Sequence, residues 1–572
     1  MADGENFTTK APRHPVNDRL ARWGLGGVMI FTAIAYSRCL RNGFVLDDRD
    51  QIVHNRYLGS WAFVWKSMVN DSAWFTNPSH TPVASYYRPF QNVWFALNYY
   101  LFRLNPIGWH AATIALHLIV VWLAFRVASE LTDNRWTGLL AAGLFALLPI
   151  HAEAVVWAAA IAPLLSSAFA LGAFDFYLQR RRAASLALFA GALLSYDSAA
   201  AFPALIAAHA FLLGASADLT PCPPSPPGKG ERSSESSPLP LEGGVRGGVS
   251  LRATLSAAWP YFLELAGYLA LRYWVLGFVS RQNPFNPRIY TWREILPQIP
   301  GVIARDLMLI AMPWKAGPSH PMRFAFGFAW PEFYLPAAGL VALCAIGWLV
   351  LRNHPHRRLY LFCAAWFLIA LSPMLNLGAL FVLGLIQDRY LYLPSFGLCL
   401  MAADLAATFG RTSEARASAV TTGATIVGIA YAVMLVHVDG FWHDEVAILS
   451  RCVQEVPDAV GCRTRLGESL AGRGDFAKAR DQLEAAAALE TGKPFWPKPS
   501  WDVFHNLGIV YAHFGQWPEA ERAFAKALKL SAHPTAEDWL RLANAANRAG
   551  DSKQAQAALK QADAMRRRGG SH

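Results

Sequence analysis

Eleven apolar runs dominate this sequence, most of them near the roughly 17–25 residues a helix needs to cross a bilayer. They are read at 21–40, 109–130, 136–150, 162–179, 183–196, 199–214, 253–278, 331–351, 359–376, 390–408 and 416–438. Backbone inside hydrocarbon must satisfy its own hydrogen bonds, so such runs fold as helices. The expected fold is all-α: a polytopic membrane helix bundle of about 11 spans, give or take two because several runs are short. Composition agrees, with 54% hydrophobic and only 16% charged residues and a mean hydropathy of +0.23. The net charge of +11 does not call for nucleic acid, since much of it lies in short loops between apolar runs.

Those loop charges set orientation, because Lys and Arg accumulate on the cytoplasmic side. Arg19 and Arg22 precede the first run, and Arg126 and Arg135 flank the second hairpin. Arg180–Arg182, then Arg352, Arg357 and Arg358, then Arg411 and Arg416 follow. With the N-terminus inside, all of these clusters fall on the cytoplasmic face. No small-residue cleavage site follows the polar first twenty residues, so the first run is read as a retained anchor. The other face then receives the larger loops, 41–108 and about 279–330. In the first, WAFVWKSMV at 61–69 and FQNVWFALNYYLFRL at 90–104 carry aromatics at helical spacing, as helices lying in the interface do. In the second, PQIPGVIARDLMLIAMP reads as a re-entrant or interfacial segment.

Residues 215–250 are rich in Pro, Gly and Ser, have no apolar period, and are expected to be a disordered cytoplasmic linker. They separate an N-terminal membrane region, 1–214, from a C-terminal one, 251–440. Beyond these, over 458–568, a repeat appears. Leu466-Gly467, Leu470, Gly474, Ala479, Leu483 and Ala486 share a register with Leu507-Gly508, Tyr511, Gly515, Ala520, Phe524 and Ala527. Leu542-Ala543, Ala546, Gly550, Ala555, Leu559 and Ala562 give a third copy. This is the tetratricopeptide (TPR) pattern, an α-solenoid of helix pairs. Of the seven cysteines, Cys452 and Cys462 stand ten apart and can pair if they face an oxidising compartment.

Polar residues gather at the outer ends of the apolar runs. Asp47 and Asp48 follow the first, in NGFVLDDRDQIVHN at 42–55; Tyr86, Tyr87 and Arg88 stand in the first outer loop. His151 and Glu153 top the third run, Asp197 the fifth, and Asp388 and Arg389 open the tenth. Ionisable residues at membrane depth are costly and mark functional sites. If the Asp47–Asp48 stretch is extended, only one of the two can face a cavity. The expectation is Asp48 there and Asp47 as a cap or supporting neighbour.

GFVLDD at 43–48, YRPF at 87–90, PIHAEAV at 149–155 and RYLYLPS at 389–395 resemble the GT-C glycosyltransferases fused to TPR repeats. These are the transmembrane-and-TPR O-mannosyltransferases and their bacterial relatives. The resemblance implies an inverting enzyme taking a sugar from a polyprenyl-phosphate donor to a protein hydroxyl outside the cytoplasm. It also implies a multi-pass protein of a bacterial inner membrane whose TPR domain engages the acceptor protein; the positive clusters and the odd number of runs place that domain on the extracytoplasmic face. In that frame Asp48 or Asp47 serves as catalytic base. Arg88, Arg389, His151, Glu153, Tyr87, Asp388 and Asp197 bind donor phosphate or sugar. The resemblance fixes no cofactor, and a divalent cation bridging carboxylate and phosphate is left open. Departures are visible too. Relatives carry a charged stretch such as R-K-D where this chain has AAAIAP at 158–163, and a lysine where it has Tyr196. Two alternatives therefore stand beside the enzyme: a non-catalytic membrane-anchored TPR scaffold, and a GT-C enzyme with a glycolipid or polysaccharide acceptor.

Overall fold

The computed structural model describes residues 15–76, 86–214, 251–279, 291–320, 322–375, 386–489, 500–531 and 534–569. The 215–250 linker lies outside them. Among the described residues every regular element is helical, and each of the eleven apolar runs coincides with a helix. Six of these are long and apolar enough to cross a membrane: Trp23–Arg41, Pro106–Thr132, Ala158–Leu178, Pro331–Leu351, Arg357–Leu375 and Glu414–Trp442. A seventh span results if the pair Arg135–Leu147 and Pro149–Val156, bent by 57°, counts as one. Three shorter apolar helices, Arg182–Leu193, Asp197–Leu212 and Ser395–Gly410, and Leu251–Leu276 account for the other runs. By length and composition, six of the described helices, or seven with the bent pair counted as one, meet the requirement for a full crossing. Arg182–Leu193, Asp197–Leu212 and Ser395–Gly410 are shorter than a full crossing, whereas Leu251–Leu276 has 26 residues.

Small residues let these helices touch. A Cβ on Gly397 would lie 2.5 Å from the Cys363 carbonyl oxygen, and one on Gly138 2.9 Å from that of Phe125. Close backbone approach of this kind replaces the hydrophobic driving force that lipid removes. The bend at Leu148-Pro149 has a local cause, because proline offers no N–H to continue the preceding helix. A short turn, Pro149–His151, then redirects the chain into Ala152–Val156.

One end of the bundle gathers the outer loops. Asn42 donates to Asp439 (2.8 Å), the Gly43 N–H to the His443 carbonyl (3.4 Å), and Arg49 pairs with Glu445 (3.2 Å). The stretches at 61–69 and 90–104 contain the helices Trp61–Ser67 and Pro89–Phe102, which expose Trp61, Trp65 and Tyr100. The 296–312 stretch forms Ile299–Ala311, with Asp306 buried.

Three helix hairpins follow: Val460–Gly472 with Phe476–Ala488, Trp501–His513 with Trp517–Leu530, and Ala536–Ala549 with Ser552–Gly569. The repeat pattern explains them. Gly467 abuts Leu483 and Gly508 abuts Phe524, each at 2.5 Å from where a Cβ would stand. Gly474, Gly515 and Gly550 take positive φ at the turns, which glycine adopts without a Cβ penalty. The helix Glu445–Glu455 leads into this array, capped by Asp444, and Cys452 is disulfide-bonded to Cys462.

Candidate active site

At the gathered end lies a cavity of about 160 Å³ whose walls come from six separated stretches of chain. Asp47, Arg88 and Arg389 all reach it. Gln51, Ser72, Tyr86, Gln91, Trp157, Tyr196 and Tyr390 complete the polar and aromatic part, and Ala159, Ala160, Ala162 and Pro163 supply a small, apolar wall. That wall is the AAAIAP segment, so the uncharged stretch singled out in the sequence faces the cavity directly.

The Asp47–Asp48 stretch is not extended. Leu46 has φ +50°, a left-handed conformation costing a side-chain-bearing residue about 1–2 kcal/mol. Its side chain packs against both the membrane core and the first TPR core, which holds the turn. Asp48 then enters a helical turn, Arg49–Val53. The outcome reverses the expectation: Asp47 faces the cavity and Asp48 is wholly buried. One Asp48 oxygen accepts from the Val45 N–H (2.9 Å), the other from the Ala159 N–H (2.6 Å). Burial pushes its carboxyl up to about 8, against these two donors. Asp48 therefore ties the first outer loop to the apolar wall. The Asp47 carboxylate makes no hydrogen bond or ion pair among the described residues.

Both arginines are held by carboxylates far away in sequence. Arg88 donates through Nη2 (2.8 Å) and Nε (3.2 Å) to Asp197, which Arg272 also contacts. Its guanidinium lies 4.0 Å from the Tyr86 ring centroid and 4.5 Å from that of Tyr196, within cation–π range. Glu153 pairs with the Arg389 Nη1 and accepts from its backbone N–H (2.9 Å). Trp157 lies 5.1 Å from the Arg389 guanidinium. Arginine has five N–H donors; among the described residues Nη1 of Arg88 and Nε and Nη2 of Arg389 have no hydrogen-bond partner.

Other residues expected to bind donor stand away from the cavity. His151 is buried in the core, its Nε2 2.9 Å from the Ser395 hydroxyl and its ring against Tyr392 and Phe145. The Tyr87 hydroxyl donates to the Met68 carbonyl (2.7 Å), and the neighbouring Tyr86 takes the cavity position instead. Asp388 turns toward His320 (2.6 Å) and the Gly317 N–H (2.8 Å). Burial disfavours charge on His320, but the Asp388 carboxylate outweighs it and raises its pKa. Glu153 and Asp197 reach the site through the arginines they hold. Sequence reading missed Arg272, Gln91 and His320, which carry no motif. Trp157 and Tyr390 sit inside recognised motif regions and were passed over as apolar. Among the described residues no group of three or more His, Cys, Asp or Glu can hold a metal ion.

Fold and site define a helical membrane protein with a cavity holding two half-buried arginines at one end and TPR hairpins beside it. A tetratricopeptide-repeat family model matches residues 460–485. The chain is 34% identical to protein O-mannosyl-transferase TMTC3 of Mus musculus over 27% of its own length and 16% of that protein's. It is 33% identical to protein O-mannosyl-transferase Tmtc1 of Drosophila melanogaster over 23% and 15% of the two. To Tmtc3 of the same fly it is 24% identical over 90% of this chain and 60% of the relative. The chain thus spans less than two thirds of these relatives, and its similarity to a protein O-mannosyl-transferase extends over 90% of its length.

Proposed function

We propose that this chain is an inverting membrane glycosyltransferase that moves a sugar from a polyprenyl-phosphate donor to a protein hydroxyl on the extracytoplasmic face. The observation that carries the reading is the meeting of an unpaired carboxylate, Asp47, with two guanidinium groups, Arg88 and Arg389, in one cavity. The acceptor oxygen attacks the anomeric carbon from the side opposite the phosphate and passes its proton to Asp47. The bond from that carbon to the phosphate oxygen breaks, and the polyprenyl phosphate leaves with the electron pair and the developing negative charge. A positioned carboxylate base contributes about 10²–10⁴-fold. The free N–H groups of Arg88 and Arg389 suit the departing phosphate, and their carboxylate partners fix each fork in advance of binding. At about 160 Å³, against roughly 300–1,000 Å³ for a typical ligand pocket, the cavity suits the reacting end of the donor, with its lipid outside.

The Cys452–Cys462 disulfide supports an extracytoplasmic TPR array, since such bonds persist in oxidising compartments. The uncharged wall at 158–163 favours the second reading, a non-catalytic scaffold. The test is transfer by the purified full chain in proteoliposomes, using radiolabelled polyprenyl-phosphate sugars and hydroxyl-bearing peptides. Transfer lost in Asp47→Asn supports the enzyme; no transfer by the wild type from any such donor supports the scaffold. Reporters fused at residue 225 and at the C-terminus check the sides. A cytoplasmic signal at 225 and an extracytoplasmic one at the C-terminus are expected.

A further inference from the structure

A second, larger cleft of about 490 Å³ opens between the first outer loop and the first TPR helices. One wall is formed by Phe44 to His54, the other by Asp444, Glu445 and the exposed face of Val460–Gly472. Asp47 lines this cleft and the arginine cavity alike. A group seated in the cleft therefore meets, at Asp47, whatever occupies the cavity.

We infer that this cleft is the acceptor site and takes an extended polypeptide segment bearing a Ser or Thr hydroxyl with basic residues beside it. The inference rests on the glycosyltransferase reading and names its acceptor. Charge is the first argument. The lining carries five carboxylates and three guanidinium groups, so it is net acidic and complementary to a basic segment. It is unsuited to an anionic glycolipid or a phosphate-bearing polymer. The second argument is which groups stay available. Arg49 is taken by Glu445 (3.2 Å) and Arg473 by Asp444 (3.0 Å). These pairs brace the walls. Asp47, Arg465 and Glu468 have no such partner among the described residues. A peptide backbone presents N–H donors and C=O acceptors in alternation. A cleft offering both carboxylates and a free guanidinium can satisfy both kinds without reading side chains. Third, Leu46 packs on both cores, so the strained turn that aims Asp47 is anchored by the same repeats that form the opposite wall.

The test uses the full chain in detergent and two fluorescein-labelled probes, a Thr-containing peptide flanked by lysines and its glutamate-flanked copy. Glu468 is exposed, so Glu468→Lys keeps the fold; Ser469→Trp fills the cleft by bulk. Both variants should weaken the lysine peptide about tenfold or more. Glu468→Lys should bind the glutamate peptide better, and binding of radiolabelled polyprenyl-phosphate sugar should be unchanged in both. Lysine-peptide binding that is absent in the wild type, or unaltered in both variants, overturns the proposal. If sugar then still passes to a glycan acceptor, the glycosyltransferase reading survives without this cleft. Peptide binding lost as expected, in a wild type that transfers no sugar, overturns the enzyme reading and with it the acceptor role.

Discussion

The membrane body and the TPR hairpins use ion pairs in opposite ways. Within single helices of the hairpins, pairs such as Arg522–Glu519 (2.8 Å) and Arg541–Glu537 (2.6 Å) lie three or four residues apart along one face, open to water. In the body they join residues 109 and 236 positions apart, Arg88 with Asp197 and Arg389 with Glu153. Glu153 is only 3% exposed. An exposed pair gains little, because water serves each charge nearly as well. A desolvated pair also gains little as a whole, but breaking one half strands the other without water. The body's charges thus fix geometry, whereas those of the hairpins decorate a surface.

The largest expected effect follows from that asymmetry. Arg389→Ala leaves Glu153 buried and unpaired, and should cost about 3–5 kcal/mol, read as lost yield and a lower unfolding temperature in detergent. Adding Glu153→Gln should restore folding without restoring donor binding. Restored donor binding would show that Arg389 only neutralises Glu153.

Next comes the aspartate pair, neighbours that the fold treats as differently as it treats body and hairpins. Asp47→Asn should lower transfer by about 10²–10⁴-fold and leave the unfolding temperature unchanged. Asp48→Asn places an amide N–H₂ where two carboxylate oxygens each accept a backbone N–H. One donor then faces another, at about 1–3 kcal/mol of stability. If Asp48→Asn instead melts like the wild type and loses transfer, the two roles are exchanged.

What the sequence could announce divides along the same line. The hairpins were legible because their determinants are local. Gly508 against Phe524 lies 16 positions apart in a fixed register, and Gly515 marks the turn between. The helical character of the apolar runs was legible for the same reason. The motifs carrying Asp47, Arg88 and Arg389 were also readable, and the cavity brings them together. Which side chain points inward was not. That depended on Leu46 adopting a left-handed turn, and leucine gives no warning of positive φ. Nor could Arg272 be matched to Asp197, 75 residues away, or Asp388 to His320. Partners across a bundle leave no periodic trace. An apolar run announces a helix, but not whether that helix crosses the membrane or packs within the bundle.

A smaller effect separates packing from charge within the hairpins. Gly508→Leu drives a side chain into the Phe524 ring, which a Cβ alone would approach to 2.5 Å. The overpacking should cost about 1–3 kcal/mol. Hydrogen exchange should rise in Trp501–His513 and Trp517–Leu530 while donor binding is retained. Loss of donor binding would mean that the second hairpin supports the cavity as well as itself.

The smallest effect is the sharpest control on the contrast. Arg541→Ala removes the same guanidinium group from a pair at 2.6 Å, in a helix where Glu537 stands one turn earlier with 71% of its side chain exposed. Glu537 keeps its water when the arginine goes, so nothing is stranded. Helix pairs at this spacing contribute only about 0.3–0.5 kcal/mol, and alanine returns part of that through its helix propensity. The unfolding temperature should therefore match the wild type within error, and raising the salt concentration should change neither protein relative to the other. Measured beside Arg389→Ala, the two variants remove one chemical group from two settings and differ in what that group leaves behind. Equal destabilisation by both would mean that desolvation of Glu153 does not govern the body's charges, and the preset arginine forks of the cavity would lose their physical basis.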